Sequence, residues 1–102
     1  MDQQIEQKRA ELIDLCRLHH VQHLAVFGSA LREDFDPQHS DLDFLVEFQS
    51  LPPGAYADTY FGLMEGLETL FCRPVDLVVE SAIKNPYFLE SVRQSKQWLY
   101  AA

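Results

Sequence analysis

Three short apolar segments, each bounded by polar or turn-forming residues, constrain the fold of this 102-residue chain more than any other feature. They cover residues 23–27, 42–48 and 75–79, and their length and composition are typical of buried strands. In the segments around them, apolar residues recur at helical spacing. The pattern predicts the order helix, strand, strand, helix, strand, helix.

Helices are predicted in three places. The first covers residues 3–19, with an apolar stripe that we expect to pack on a sheet. The second follows the Pro-Pro-Gly break at 52–54 and carries its apolar residues at Tyr60, Leu63, Met64, Leu67, Leu70 and Phe71. The third, over residues 86–94, begins after a predicted Asn85 N-cap with Pro86 in its first turn.

Chain length and charge limit the functions open to this protein. We expect one domain over residues 1–102, long enough to bury a core without disulfides or structural metals. Eight Lys and Arg against 16 Asp and Glu give a net charge of −8, without a basic cluster, so we expect no direct binding of nucleic acid. A nucleotide remains compatible with this charge, because a divalent cation held by carboxylates binds phosphate.

Cysteine usage and hydropathy indicate a compartment. Cys16 and Cys72 are too few for a disulfide scaffold and lie in apolar segments, so we expect reduced thiols and a cytoplasmic protein. Every apolar run is shorter than about 18 residues, and the N-terminus is polar and acidic, so we expect neither a membrane span nor a signal peptide.

One group of polar residues stands out against this framework. Gly28-Ser29 ends the first strand, Asp41 and Asp43 begin the second, and Asp76 begins the third. Side chains at i and i+2 of a strand share a face, so Asp41 and Asp43 form a pair of oxygen ligands suited to Mg²⁺. If the third strand pairs beside the second, Asp76 joins them, and three carboxylates can hold two ions. An acidic sheet edge with a turn glycine is the alternative interpretation.

The dipeptide before these carboxylates favours a phosphate ligand. Gly28 permits close approach of the backbone to a phosphate. Ser29 can cap the following helix and offer its hydroxyl to the same oxygens. Together with the carboxylates, these residues predict a nucleotide site.

These residues carry a resemblance to a known family. The segments FGSALR at 27–32, SDLDFLV at 40–46 and RPVDLV at 73–78 resemble the minimal nucleotidyltransferases of the DNA polymerase β superfamily. More narrowly, the chain from about residue 20 to its end resembles the MNT antitoxins that are paired with HEPN toxins in prokaryotes. The resemblance implies an α/β (α+β) fold of the polymerase-β-like nucleotidyltransferase type, with a small mixed β-sheet flanked by helices.

The resemblance also implies an activity and a site. Gly28 and Ser29 would engage the nucleotide phosphates, Asp41 and Asp43 would bind Mg²⁺, and Asp76 corresponds to the third carboxylate. The implied reaction transfers AMP from ATP to a tyrosine hydroxyl of a HEPN ribonuclease toxin and so neutralises the toxin.

Several roles within this site stay open. Asp76 can be a metal ligand or the general base. We also assign Arg32 and Ser40 to nucleotide binding, although Arg32 can instead pair with acidic neighbours in its loop. Many relatives have a glycine after this arginine, where the present chain has Glu33.

Two other functions compete with adenylyl transfer to a toxin. The domain can neutralise the toxin by tight association, with its site unused. It can also transfer a nucleotide to a small molecule, but relatives of that kind usually carry a further helical domain, for which 102 residues leave no room.

Three further residue groups have both a functional and a structural interpretation. For a metal site the candidates are Cys16, His19, His20 and His23, although histidines near a helix C-terminus are the preferred interpretation. For an adenine pocket they are Tyr56, Tyr60, Phe61 and Met64, although core packing is preferred. For a partner surface they are Trp98, Leu99 and Tyr100, which are equally suited to fold back onto the core.

Overall fold

The computed structural model describes residues 3–28 and 41–102. The helices are α1 (Gln3–Gln7), α2 (Arg9–Leu18), α3 (Tyr56–Phe71) and α4 (Pro86–Ser95), and a 3-10 turn covers Glu80–Ala82. The strands are β1 (Val21–Phe27), β2 (Leu42–Phe48), β3 (Val75–Val79) and β4 (Gln97–Ala101). Within these residues, no helix combines the length and the apolar character needed to cross a membrane.

The four strands form one mixed sheet in the order β3-β2-β1-β4. Strand β1 pairs antiparallel with β2 and with β4, whereas β2 and β3 run parallel. A parallel pair needs a crossover connection, and α3 supplies it between β2 and β3. The predicted α/β fold with a small mixed sheet and flanking helices is therefore confirmed.

Apolar side chains cover both faces of the sheet. On one face, α1, α2 and α3 contribute Ile5, Leu12, Cys16, Leu63, Leu67 and Phe71 to the larger cluster of buried residues. On the other face, Val92 of α4 packs with Ala25, Phe27 and Leu45. Burial on both faces explains why β1 and β2 read as nearly continuous apolar runs.

The N-terminal helix differs from the prediction. One helix was expected over residues 3–19, but the helix is interrupted at Lys8. The backbone dihedral angles of this residue, φ −106° and ψ 22°, lie outside the helical region. The Lys8 ammonium donates to the carbonyl of Leu70 at 2.6 Å, and the side chain of Gln4 donates to the carbonyl of Phe71 at 2.8 Å. These contacts tie Gln4 and Lys8 to the C-terminal end of α3, and the helix is interrupted at Lys8.

The other elements mostly follow the prediction, with one addition. Strand β1 begins at Val21, two residues earlier than expected, whereas β2 and β3 have the predicted bounds. Helix α4 has its predicted cap, because Asn85 Oδ1 accepts from the backbone N–H groups of Tyr87 and Phe88 at 2.9 and 3.2 Å. Strand β4 was not predicted; the C-terminal segment was expected either to face a partner or to fold back, and it folds back onto β1.

Candidate active site

The predicted carboxylates lie near the same end of the parallel strand pair. In the sheet register, Phe27 of β1 lies opposite Asp43 of β2, and Asp43 lies opposite Asp76 of β3. Residues opposite each other point to the same face, and neighbouring strands lie about 4.8 Å apart. The pairing of β2 beside β3, on which the third carboxylate depended, is therefore confirmed. We call Phe27, Asp43 and Asp76 the cross-strand row.

The carboxylates of this site interact electrostatically. Asp41 is exposed one residue before β2, on the face that Asp43 shares, and Asp43 is half-buried. Burial raises the pKa of Asp43, and the nearby charges of Asp76 and Asp41 raise it further. The site therefore concentrates negative charge that a cation would neutralise.

Gly28 lies against the Asp43 carboxylate. The backbone of Gly28 has a φ of +73°, and a Cβ atom there would lie 2.6 Å from Asp43 Oδ2. A side chain at this position would therefore both strain the backbone and displace the carboxylate. The sequence predicted that Gly28 allows a phosphate to approach the backbone. The structure shows a second reason for glycine at this position, which is the close contact with the Asp43 side chain.

Three predicted nucleotide ligands, Ser29, Arg32 and Ser40, lie outside the described residues, so their roles stay predictions. In the described part of the chain, no three His, Cys, Asp or Glu side chains converge on one point. Mg²⁺ does not need such a cage, because it binds through one or two carboxylates and completes its shell with water and substrate phosphates. Asp41 and Asp43 fit that donor set.

The aromatic residues of α3 are divided between core and surface. Tyr60 and Met64 pack against the larger core cluster, as the structural interpretation expected, whereas Tyr56 and Phe61 are about half exposed. The Tyr60 hydroxyl donates to the carbonyl of Leu77 at 2.5 Å. Burial raises the pKa of Tyr60, with smaller contributions from Asp76 and Tyr56.

Cys16, His19 and His23, which were considered as metal ligands, each pack or lie against other parts of the protein. Cys16 is buried, and burial raises the pKa of its thiol to about 12. His19 Nδ1 lies 3.0 Å from the carbonyl of Leu15, which precedes it by one helical turn. The ring of His23 packs edge to face with Trp98 at 5.0 Å between centroids.

Phe88 adjoins the site, although sequence reasoning did not select it. Its ring packs against Phe27 at 6.4 Å between centroids. The only hint in the sequence was the predicted Asn85 cap, which is followed by Phe88 three positions later. The cap predicts where a helix starts, but not that Phe88 contacts Phe27, because that contact depends on how α4 crosses the sheet.

Comparison of the sequence with known proteins identifies one family. The model of the nucleotidyltransferase domain family matches residues 10–99. A protein of Methanocaldococcus jannaschii, provisionally named a protein adenylyltransferase, is 36% identical over 93 residues, which cover 83% of this chain and 91% of that protein.

Solved structures share the fold. One, provisionally described as a minimal nucleotidyltransferase, has a TM-score of 0.71 and 31% identity, with 95% of each chain covered. A second is the complex of the tri-AMPylated HEPN toxin of Shewanella oneidensis with an MNT antitoxin. A chain of that complex matches with a TM-score of 0.65 and 19% identity, over 95% of the present chain and 72% of its own length.

Proposed function

Because this chain belongs to the nucleotidyltransferase domain family, we propose that it is an antitoxin that transfers AMP from ATP to a tyrosine hydroxyl of a HEPN ribonuclease toxin. The observation that carries the proposal is the placement of Asp43 and Asp76 side by side in register, with Gly28 against the Asp43 carboxylate. The name of the Methanocaldococcus jannaschii relative and the AMPylated toxin in the Shewanella oneidensis complex support a protein acceptor.

Each residue of the site has a proposed task. Asp41 and Asp43 would hold Mg²⁺, which, when bound, neutralises the triphosphate and the departing pyrophosphate. Asp76 would orient the acceptor hydroxyl, as its general base or as a ligand of a second ion. The remaining assignments, all to the nucleotide phosphates, are Gly28, Ser29, Arg32 and Ser40.

The proposed step is a single displacement at the α-phosphorus of ATP. The tyrosine oxygen forms a bond to the α-phosphorus, and the bond from this phosphorus to the oxygen that bridges to the β-phosphorus breaks. Pyrophosphate leaves with the electron pair of that bond, and the hydroxyl proton passes to Asp76 or to water. Positioning by the carboxylates dominates this chemistry.

We place the reaction in the cytoplasm, consistent with the two free thiols.

Intact-mass measurement of the partner tests the proposal. The chain is co-expressed with the HEPN protein encoded beside it, and the partner is expected to gain a whole number of AMP units. The variant Asp41→Asn/Asp43→Asn should leave the partner unmodified. The matched control, Asp14→Asn/Asp58→Asn, also removes two carboxylates, but both are exposed and lie on α2 and α3, on the other side of the sheet.

Two outcomes would contradict the proposal. Undiminished modification by the Asp41→Asn/Asp43→Asn variant would place the chemistry elsewhere. A partner that stays unmodified with the wild type, yet co-purifies and is harmless, would show that neutralisation occurs by binding alone.

A further inference from the structure

The cross-strand row continues into two aromatic residues at the start of α4. Phe27 lies on the same face of the sheet as Asp43 and Asp76, because the three residues are opposite one another in register. The ring of Phe88 packs against Phe27 with an angle of 74° between their planes. Phe88, Phe27, Asp43 and Asp76 therefore follow one another across the molecule. We call Tyr87 and Phe88 the aromatic pair.

The aromatic pair is exposed where a packing role would require burial. Phe88 is 43% exposed although one side of it contacts Phe27, and Tyr87 is 85% exposed. Val92, one turn further along α4, is 2% exposed and provides the buried contact of this helix with the sheet. The other exposed aromatic residues in the described ranges lie on α3 or on β4, namely Tyr56, Phe61 and Trp98.

The backbone of the aromatic pair is held in place before any ligand binds. Asn85 Oδ1 accepts from the N–H groups of both Tyr87 and Phe88. Pro86 occupies the first turn of the helix, where its fixed φ suits the helical conformation. The backbone that carries the two rings is therefore ordered in advance, and the Phe88 ring also packs on Phe27, which lowers the entropic cost of stacking on a flat ligand.

We propose that the aromatic pair stacks on the nucleobase of the bound nucleotide and favours purines over pyrimidines, an inference that rests on the proposed function. Strand spacing and the contact with Phe27 place the Phe88 ring on the order of 10 Å from the Asp43 carboxylate. A nucleotide spans this range, because one ribose separates its base from the α-phosphate. An uncharged base also tolerates the neighbouring carboxylates, and stacking is strongest for the larger purine ring system.

Comparison of two ligands by calorimetry tests this inference on the full chain with Mg²⁺. ATP carries a base, whereas inorganic tripolyphosphate presents the phosphates alone. We expect Phe88→Ala to raise the Kd of ATP about tenfold and to leave the Kd of tripolyphosphate unchanged. Tyr87→Ala should have a smaller effect in the same direction, and wild-type protein should bind ATP and GTP more tightly than CTP and UTP.

Two further variants separate stacking from packing. Phe88→Leu keeps an apolar contact with Phe27 without an aromatic face, so it should retain the wild-type fold by circular dichroism and still bind ATP more weakly. Phe61→Ala removes an aromatic residue of similar exposure from α3, which covers the opposite face, and should leave both ligands unaffected.

Several results would overturn the inference. Equal weakening of ATP and tripolyphosphate would show that the aromatic pair supports the phosphate site. An unchanged Kd for ATP with a raised KM for the protein acceptor would assign the pair to the acceptor. If the wild type modifies its partner but Phe88→Ala binds ATP normally, only this inference fails. If ATP binding depends on Phe88 but the partner is never modified, only the proposed acceptor fails.

Discussion

At the scale of single residues, Gly28 and Gly54 provide a matched pair. Both have positive φ, +73° and +82°, but a Cβ at Gly28 would meet Asp43, whereas no atom of the described residues lies within 4 Å of one at Gly54. We expect Gly28→Ala and Gly54→Ala each to lower the free energy of unfolding by about 1 kcal/mol, measured by urea denaturation.

The same two variants should differ in activity. Gly28→Ala displaces the Asp43 carboxylate, so we expect at least a tenfold lower rate of AMP transfer, on the order of 1.4 kcal/mol in the barrier. Gly54→Ala should retain the wild-type rate. Equal rates for both variants would show that the contact between Gly28 and Asp43 does not matter for the site.

A second prediction at this scale concerns Asp43 and pH. Because the folded-state pKa of Asp43 is raised, first by burial and then by Asp76 and Asp41, its charged form opposes folding. This cost is present above the raised pKa and disappears as the pH falls to the usual aspartate value. In EDTA, Asp43→Asn should therefore be more stable than the wild type at pH 7 and equally stable near pH 3, by urea denaturation.

A control carboxylate makes this prediction specific. Asp14 is exposed on α2, and Asp14→Asn should change stability by less than about 0.5 kcal/mol at either pH. A destabilised Asp43→Asn protein at pH 7 would contradict the assignment of Asp43 as a residue whose charge costs folding energy. Metal-dependent activity should also decline in acid, because only the carboxylate form of Asp43 binds Mg²⁺.

At the scale of elements, the start of α4 depends on one side chain. Asn85 Oδ1 satisfies two backbone N–H groups, so Asn85→Ala should lower the free energy of unfolding by about 1 kcal/mol. Asn85→Asp should retain wild-type stability, because aspartate caps helices equally well. Thermal unfolding of the three proteins measures this difference, and equal loss in both variants would exclude a capping role.

The elements also differ in how far their sequences predict them. Strands β2 and β3 were predicted with their observed bounds, because both are apolar runs with clear breaks at their ends. The break at Lys8 could not be predicted, since it depends on contacts with Leu70 and Phe71, which are more than sixty positions away. Strand β4 could not be predicted either, because the C-terminal segment becomes a strand by pairing with the edge of β1 that β2 leaves open.

At the scale of the whole molecule, β4 forms one edge of the sheet and contributes to the core. Leu99 of β4 is 5% exposed in the larger core cluster. We expect Leu99→Ala to lower the free energy of unfolding by about 2–4 kcal/mol, measured by urea denaturation. Leu18→Ala, at a leucine that is 70% exposed, should change it by less than about 0.5 kcal/mol. Similar values for the two variants would show that β4 is not part of the cooperative fold.

The sequence by itself determined the kinds of elements and the chemistry available to them. Local hydrophobic periodicity specifies which segments bury a face, and the types and spacing of Gly28, Asp41 and Asp43 indicate metal and phosphate chemistry, because both are short-range properties. Only the tertiary structure decided that β3 lies beside β2, which brings Asp76 to Asp43, and that α4 carries Phe88 to Phe27. These contacts join segments far apart in the chain, and long-range pairing is selected by the packing of the whole core.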